Sequence, residues 1–278
     1  MLVVLAGVPP ATAALFRCLY ALPFLGVLAW VEWRRFGRVG RRELRLAWIA
    51  GLFFAADLEL WHHAIAAVGA GLSTVIANLQ VVVVGVVAWV VLGERPSRRV
   101  GAAVPIALVG VVLISGAIGG DVYGDRPVLG AILSLLTALA YAGFLLTLRA
   151  ANTDLRRPAA PLFHATISSA LALAAVGVVL AELELPGWAA HGWLLVLGVS
   201  AQVVGYLAIS ISLPRLPAVV TSILLLVQPV LSVGVAALIV DERPSPSQLA
   251  GVALVVVGVL IAASAPHVRR VEAGGQPA

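Results

Sequence analysis

Seven consecutive residues, Asp57-Leu58-Glu59-Leu60-Trp61-His62-His63, put two carboxylates, an indole and two imidazoles into an otherwise apolar stretch. An ionisable side chain halfway through a hydrocarbon layer costs about 2.5–3.5 kcal/mol on insertion scales, so such groups face a cavity or one another. At ~100° per residue, Glu59, His62 and His63 fall on one face of a helix, while Asp57 and Trp61 share the other side. A carboxylate beside an imidazole can carry a coupled proton, and the Glu59 face is read as lining a substrate vestibule. The plainer alternative for His62 and His63 is contact with water or headgroups at the membrane surface.

Gln80 and Gln228 are the second candidate pair, each near the centre of its own apolar run. An amide offers a donor and an acceptor without the cost of burying a charge. Pro229 removes an N–H next to Gln228 and suits a helix broken beside a cavity. Interhelical hydrogen bonding, typically worth only ~0.6 kcal/mol, is the alternative. Asn78, two residues before Gln80, is expected on a different face. Thr137 with Tyr141, and Gln202 with Tyr206, are each spaced to stack on one helix face and to serve as cavity walls or as ordinary packing groups. Arg17, about two turns into the first apolar run, either pairs with an acidic group or counters an anionic substrate.

The elements that must position these groups follow from composition. The chain has 278 residues, 62% hydrophobic and 11% charged, and its mean hydropathy is +1.07. A soluble domain carries roughly 25% charged residues, so a water-soluble enzyme, a nucleic-acid-binding domain and a disordered chain are excluded. The single cysteine, Cys18, leaves no disulfide framework or thiolate cluster. Runs long enough to cross ~30 Å of hydrocarbon occur at about 11–33, 46–67, 71–92, 100–118, 128–149, 161–182, 192–212, 217–240 and 248–265. The expectation is an all-α integral membrane protein with nine transmembrane helices. Fifteen of the 18 basic residues, all arginine, fall in the connections on one side or in the C-terminal tail. Only Arg126 and Arg243 lie on the other side. This bias predicts an external N-terminus and a cytoplasmic C-terminus. Trp30, Trp33, Trp89, Trp188 and Trp193 lie near span ends and read as interfacial anchors.

The segment beginning at Gln80 aligns without gaps on the one beginning at Gln228, an offset of 148. Glu94-Arg95-Pro96-Ser97 falls on Glu242-Arg243-Pro244-Ser245, and Gly110 on Gly258. The copies are five spans apart, and an odd spacing inverts one relative to the other, the plan of many secondary transporters. The offset places the partner of the 128–149 span upstream of Met1. The chain therefore reads as a ten-helix inverted 5+5 repeat lacking its first helix, with a start expected some twenty-odd residues earlier; a native nine-span form is the alternative. The repeats occupy 1–118 and 128–265, followed by a tail at 266–278. The ERPS loops read as structural caps. Gly101, Gly110, Gly251 and Gly258 read as sites of close helix approach, including the contact of a homodimer.

The stretch DLELWHHAIAAVGAGLSTVIANLQVVVVGVVAWVVLGERPSRRVGAAVPIALVGVVLIS from Asp57, and its counterpart from Tyr206, resemble the drug/metabolite transporter superfamily, EamA type. Repeats of that family carry an aromatic-aromatic-Ala run, a small-residue turn, a helix, a G/D-E-R-x-S loop and a Gly-containing helix. His62-His63 stands where the family often has aromatic residues. The resemblance covers essentially the whole chain and implies a ten-helix exporter of amino acids or other small metabolites in the plasma or inner membrane. The implied transport is by alternating access at the repeat interface. The expected substrate-binding residues are Gln80, Gln228, Asp57, Glu59, Trp61, Tyr141, Gln202 and Tyr206. No cofactor, metal or nucleic acid is expected; the partners are a small-molecule substrate and the lipid bilayer. The competing class is an intramembrane enzyme or haem-binding membrane protein, for which neither an HExxH nor a GxSxG pattern is present. A lipid scramblase would keep the helices but show no saturable solute flux.

Overall fold

The computed structural model describes residues 2–80, 82–83, 98–114, 123–212, 235, 238–239 and 243–264. Among them there are helices and turns but no strand. The elements are α1 (Leu2–Ala6), α2 (Pro10–Phe36), α3 (Arg41–Val68), α4 (Ala70–Ala77), α5 (Arg98–Ile114), α6 (Pro127–Ala151) and α7 (Ala159–Val179). They continue with α8 (Trp188–Leu197), a π-helical stretch (Gly198–Gly205), α9 (Tyr206–Ser212) and α10 (Pro246–Ala263). Described helices fall at the expected spans 11–33, 46–67, 100–118, 128–149, 161–182, 192–212 and 248–265; the 71–92 span is described only as far as Val83, and the 217–240 span, with Gln228, lies largely outside the described residues.

Helix boundaries follow local chemistry. α2 begins with Pro10, whose missing N–H would be unsatisfied at a helix start in any case. α3 ends where Gly69 takes φ 89°, its N–H donating to the Ile65 carbonyl, and α4 starts at the next residue. At the start of α3, Glu43 accepts from the Gly40 N–H at 2.9 Å. The α7 start is capped from another helix: Glu32 of α2 accepts from the N–H groups of Ala159 (2.9 Å) and Ala160 (2.8 Å).

Among the described residues, four helices are long and apolar enough to cross a membrane: Pro10–Phe36, Pro127–Ala151, Ala159–Val179 and Trp188–Ile211. α3 is 28 residues long and packs between α6 and α7. Val27, Leu52, Leu139, Leu171, Val178 and Val204 are each more than half exposed on the outside of the bundle. In water such a surface would be untenable; against lipid tails it costs nothing. Trp30, Trp33, Trp188 and Trp193 are also exposed, as interfacial anchors must be.

The two ends of the bundle are set by hydrogen bonds between connections. At one end Thr12 donates to the Glu182 carbonyl (2.6 Å), Arg126 N–H to Ala67 (3.1 Å), and Gln248 to Ile114 (3.2 Å) and Tyr123 (3.0 Å). At the other, Arg157 donates to Arg38 (2.8 Å), Thr153 to Glu43, and Arg99 to Ser264. This second end carries Arg34, Arg35, Arg41, Arg42, Arg98, Arg149 and Arg156 as well. There Asp154 sits between Arg156 and Arg157, and the Arg156 hydrogen bonds hold its carboxyl well below the usual carboxylate range.

α5 and α10 cross antiparallel with backbones nearly touching. A Cβ on Gly251 would lie 2.6 Å from the Gly110 carbonyl oxygen, and one on Gly258 3.1 Å from that of Ala103. Three of the four glycines expected at close contacts thus make them within one chain.

Candidate functional site

A cavity of about 310 Å³ lies among α2, α3, α4, α6 and the π-helical stretch. Along their helices, Arg17, Asp57 and Tyr141 sit roughly 10, 16 and 21 Å from the Glu182 end, at 1.5 Å per residue. The cavity is therefore near mid-bundle. Asp57, Trp61, Gln80, Tyr141 and Tyr206 all line it, together with Arg17, Asn78 and Thr137.

Arg17 is 3% exposed. Its guanidinium carbon stands 5.9 Å from the Phe54 ring centre, 5.9 Å from Trp61 and 5.7 Å from Tyr206. These rings belong to a larger aromatic set. Phe54 stacks on Phe144 with centroids 4.5 Å apart, and Tyr206 meets Phe54 edge-on at 4.9 Å. Cation–π attraction of ~2 kcal/mol or more per desolvated contact holds the charge in place, while no carboxylate comes within 4.0 Å of it among the described residues. Arg17 Nε is buried without a hydrogen-bond partner.

Three more orphaned atoms belong to residues that line the same cavity. Asn78 spends its amide N–H on the Thr74 carbonyl at 2.8 Å, leaving Oδ1 without a partner. Gln80 Oε1 and Thr137 Oγ1 are likewise buried and unpartnered. Buried polar groups are almost always paired, and leaving one unpaired costs ~1–3 kcal/mol. Four such atoms, on α2, α6 and the 78–80 segment, belong to residues around one space, and a solute entering it would offer them partners.

Sequence reasoning set Asn78 apart from Gln80 by assuming a continuous helix. α4 instead ends at Ala77, with a turn at Asn78 and Leu79, and the break brings both amides to the cavity. Gln202 departs in the other direction. It is fully buried and donates to Thr166 of α7 at 3.3 Å, away from the cavity that Tyr206 lines. The cause is the π-helical stretch: i→i+5 bonding takes more residues per turn, so four residues no longer return to the same face. Gly198 sits there because its backbone presses on α2; a Cβ would lie 2.9 Å from the Arg17 carbonyl.

Glu59 also lies outside the cavity. It turns with His63 toward Glu182, while Asp57 and Trp61 turn inward, which is the division of faces read from helical spacing. His62 is buried and donates from Nδ1 to the Pro10 carbonyl at 3.3 Å. It lines a second cavity, of about 380 Å³, at the Glu182 end with Val3, Tyr123 and Asp125. Gln228 and the ERPS residues 94–97 lie outside the described residues.

A family model for the EamA-like transporter family matches residues 1–116 and 128–264. The chain belongs to the EamA-like transporter family. That family is part of the drug/metabolite transporter superfamily, and its members are transporters rather than enzymes. With its apolar helices, this EamA-like protein is a multi-pass membrane protein of the transporter class, in contact with lipid and with a small-molecule substrate. Among solved structures, one crystal structure of a protein superposes with a TM-score of 0.59 at 19% identity. The match covers 92% of this chain and 87% of that one, a likeness of fold. No curated protein matches the sequence.

Proposed function

We propose that this EamA-like protein exports a small metabolite bearing an anionic group, such as an amino acid or related compound, across the cell membrane. The observation that carries the reading is the convergence of Arg17, Asn78, Gln80 and Thr137, each with a buried and unpartnered polar atom, on one mid-bundle cavity. The anionic group meets Arg17. The amide oxygens and Asp57 meet donors on the substrate, and Trp61, Tyr141 and Tyr206 cover its apolar part. Gln228, as the repeat counterpart of Gln80, completes the lining from the second half, and Gln202 acts through the packing of α7 rather than by contact.

Alternating access follows from an inverted repeat of nine helices in this chain, 1–118 against 128–265. Two features support that layout. The α5–α10 crossing is symmetric under the 148 offset: Gly110 against Gly251 maps onto Gly258 against Ala103. Arg99 and Gln248, which follow the two ERPS loops closely, meet opposite ends of the bundle. The arginine-rich end faces the cytoplasm, which puts the C-terminal tail inside. Discontinuous helices beside a midplane site, as at Asn78, suit such transporters. Any homodimer uses surfaces other than the α5–α10 glycine contact.

The test is flux in proteoliposomes loaded with labelled amino acids and organic acids. Saturable flux of one of them, abolished by Asp57→Asn and by Gln80→Leu, is the expected result. Flux that persists in both variants, or the absence of saturable flux for every compound, overturns the proposal. Ser97 and Ser245 labelled from the same compartment would remove the inverted repeat.

A further inference from the structure

Glu59 and His63, one turn apart on α3, meet Glu182 from the connection after α7. His63 Nε2 lies 3.0 Å from Glu59 Oε1 and 3.4 Å from Glu182 Oε2, and one ligand atom from each residue falls within 4.8 Å of the others. The three side chains are 12%, 30% and 28% exposed in the order Glu59, His63, Glu182. Glu59 Oε2 is shut from solvent and has no hydrogen-bond partner. The Glu182 segment is itself fixed. Thr12 donates to the Glu182 carbonyl at 2.6 Å and accepts from the Glu184 N–H at 3.1 Å, while the Ala11 N–H reaches Glu182 Oε2 at 3.4 Å.

We propose that Glu59, His63 and Glu182 form a binding site for a divalent transition-metal ion, of which Zn²⁺ is the probe. Ligand atoms about 2.0–2.1 Å from a tetrahedral zinc lie about 3.3–3.4 Å apart. The two imidazole-to-carboxylate distances bracket that edge. One imidazole nitrogen and two carboxylate oxygens are a three-ligand set that leaves a fourth position for water or for Glu59 Oε2. The imidazole discriminates against Mg²⁺ and Ca²⁺, which take oxygen ligands in larger number. The two glutamates supply the negative charge that one His alone lacks. The bound ion joins α3, which carries Asp57 and Trp61 on its other face, to the connection between α7 and α8. The site lies outside the transport cavity and does not depend on which solute that cavity takes.

The experiment is Zn²⁺ titration by calorimetry of the full-length protein in nanodiscs, purified without a polyhistidine tag, for wild type, His63→Ala and Glu182→Gln. One ion per chain is expected, with binding weakened at least tenfold in each variant and not displaced by a hundredfold excess of Mg²⁺. Zn²⁺ raises the melting temperature of the wild type by mass action and leaves that of His63→Ala unchanged, which separates lost binding from lost folding. Equal binding in all three proteins, equal competition by Mg²⁺, or no binding by the wild type overturns the proposal. Solute flux is a separate readout, so failure of this site leaves the transport reading intact.

Discussion

Gly51→Ala adds one methyl group where, of the described glycines, an added Cβ would come closest to a neighbouring helix. Gly51 lies on α3, six residues before Asp57. A Cβ there would sit 2.3 Å from the Ala165 carbonyl oxygen and 2.5 Å from Ser168 Cβ, where ordinary contact begins at 3.4 Å. The Ala165 oxygen belongs to the α7 backbone and cannot swing aside, so α3 and α7 must part by roughly 1 Å, enough to forfeit a quarter to a half of each dispersion contact around the site. Overpacking of this kind costs about 1–3 kcal/mol. The separation also stretches two interhelical hydrogen bonds, Ser168 Oγ to Trp48 and Ser169 Oγ to Gly51, both 2.8 Å. At ~0.6 kcal/mol each, the total is about 2–4 kcal/mol. Gly192→Ala is the control. Gly192 is in α8 with nothing within 4 Å of its Cβ position, so the same chemical change should stabilise by about 0.5–1 kcal/mol through backbone entropy. Thermal unfolding in nanodiscs, followed by tryptophan fluorescence, reads both. At about 2–4 °C per kcal/mol, Gly51→Ala should melt several degrees below wild type and Gly192→Ala at or slightly above it. Equal melting temperatures for the two variants would refute the packing argument, and with it the positioning of Asp57 and Trp61 by this contact.

Arg17→Gln removes the guanidinium but keeps an amide donor; a charge-assisted hydrogen bond is worth about 1.5–3 kcal/mol, so KM for the anionic solute should rise roughly 10–100-fold. An unchanged KM in proteoliposomes would take Arg17 out of the site. Gln80→Leu should leave the melting temperature equal or higher, because Oε1 has no partner to lose, while flux collapses; a protein that melts early and transports normally contradicts this. Thr12→Val deletes two hydrogen bonds to the 182–184 segment, costing about 1–2 kcal/mol locally. Amide exchange at Glu184 should quicken roughly tenfold, and unchanged exchange would show that the segment is held by other contacts.

The legible part of the site is what helical spacing alone controls. Asp57 with Trp61, Glu59 with His63, and Thr137 with Tyr141 are pairs four apart on regular helix, and each pair shares a surface in the folded protein. Arg17 was conspicuous as a charge in an apolar run, but its surroundings come from α3 and α9, far away in sequence. Asn78 and Gln202 were misplaced for one reason: both lie at interruptions, a turn after Ala77 and a π-helical stretch from Gly198, which change the angle between neighbouring residues. A helical wheel assumes a constant angle, so it fails at those points.

By itself the sequence determined the solvent. Its apolar runs and clustered arginines admit only helices across lipid, because each backbone group in hydrocarbon must be satisfied within its own segment. It also determined which face of each regular helix is polar, since that depends on local geometry. Tertiary structure decided which polar faces meet. Arg17 reaches the rings of Phe54, Trp61 and Tyr206, and Glu182 reaches His63 across 119 residues of chain. Those meetings depend on how closely helices approach and where they break, and the close approach depends on backbone positions such as Gly51, Gly110 and Gly198, where a Cβ would lie 2.3, 2.7 and 2.9 Å from a neighbouring carbonyl oxygen.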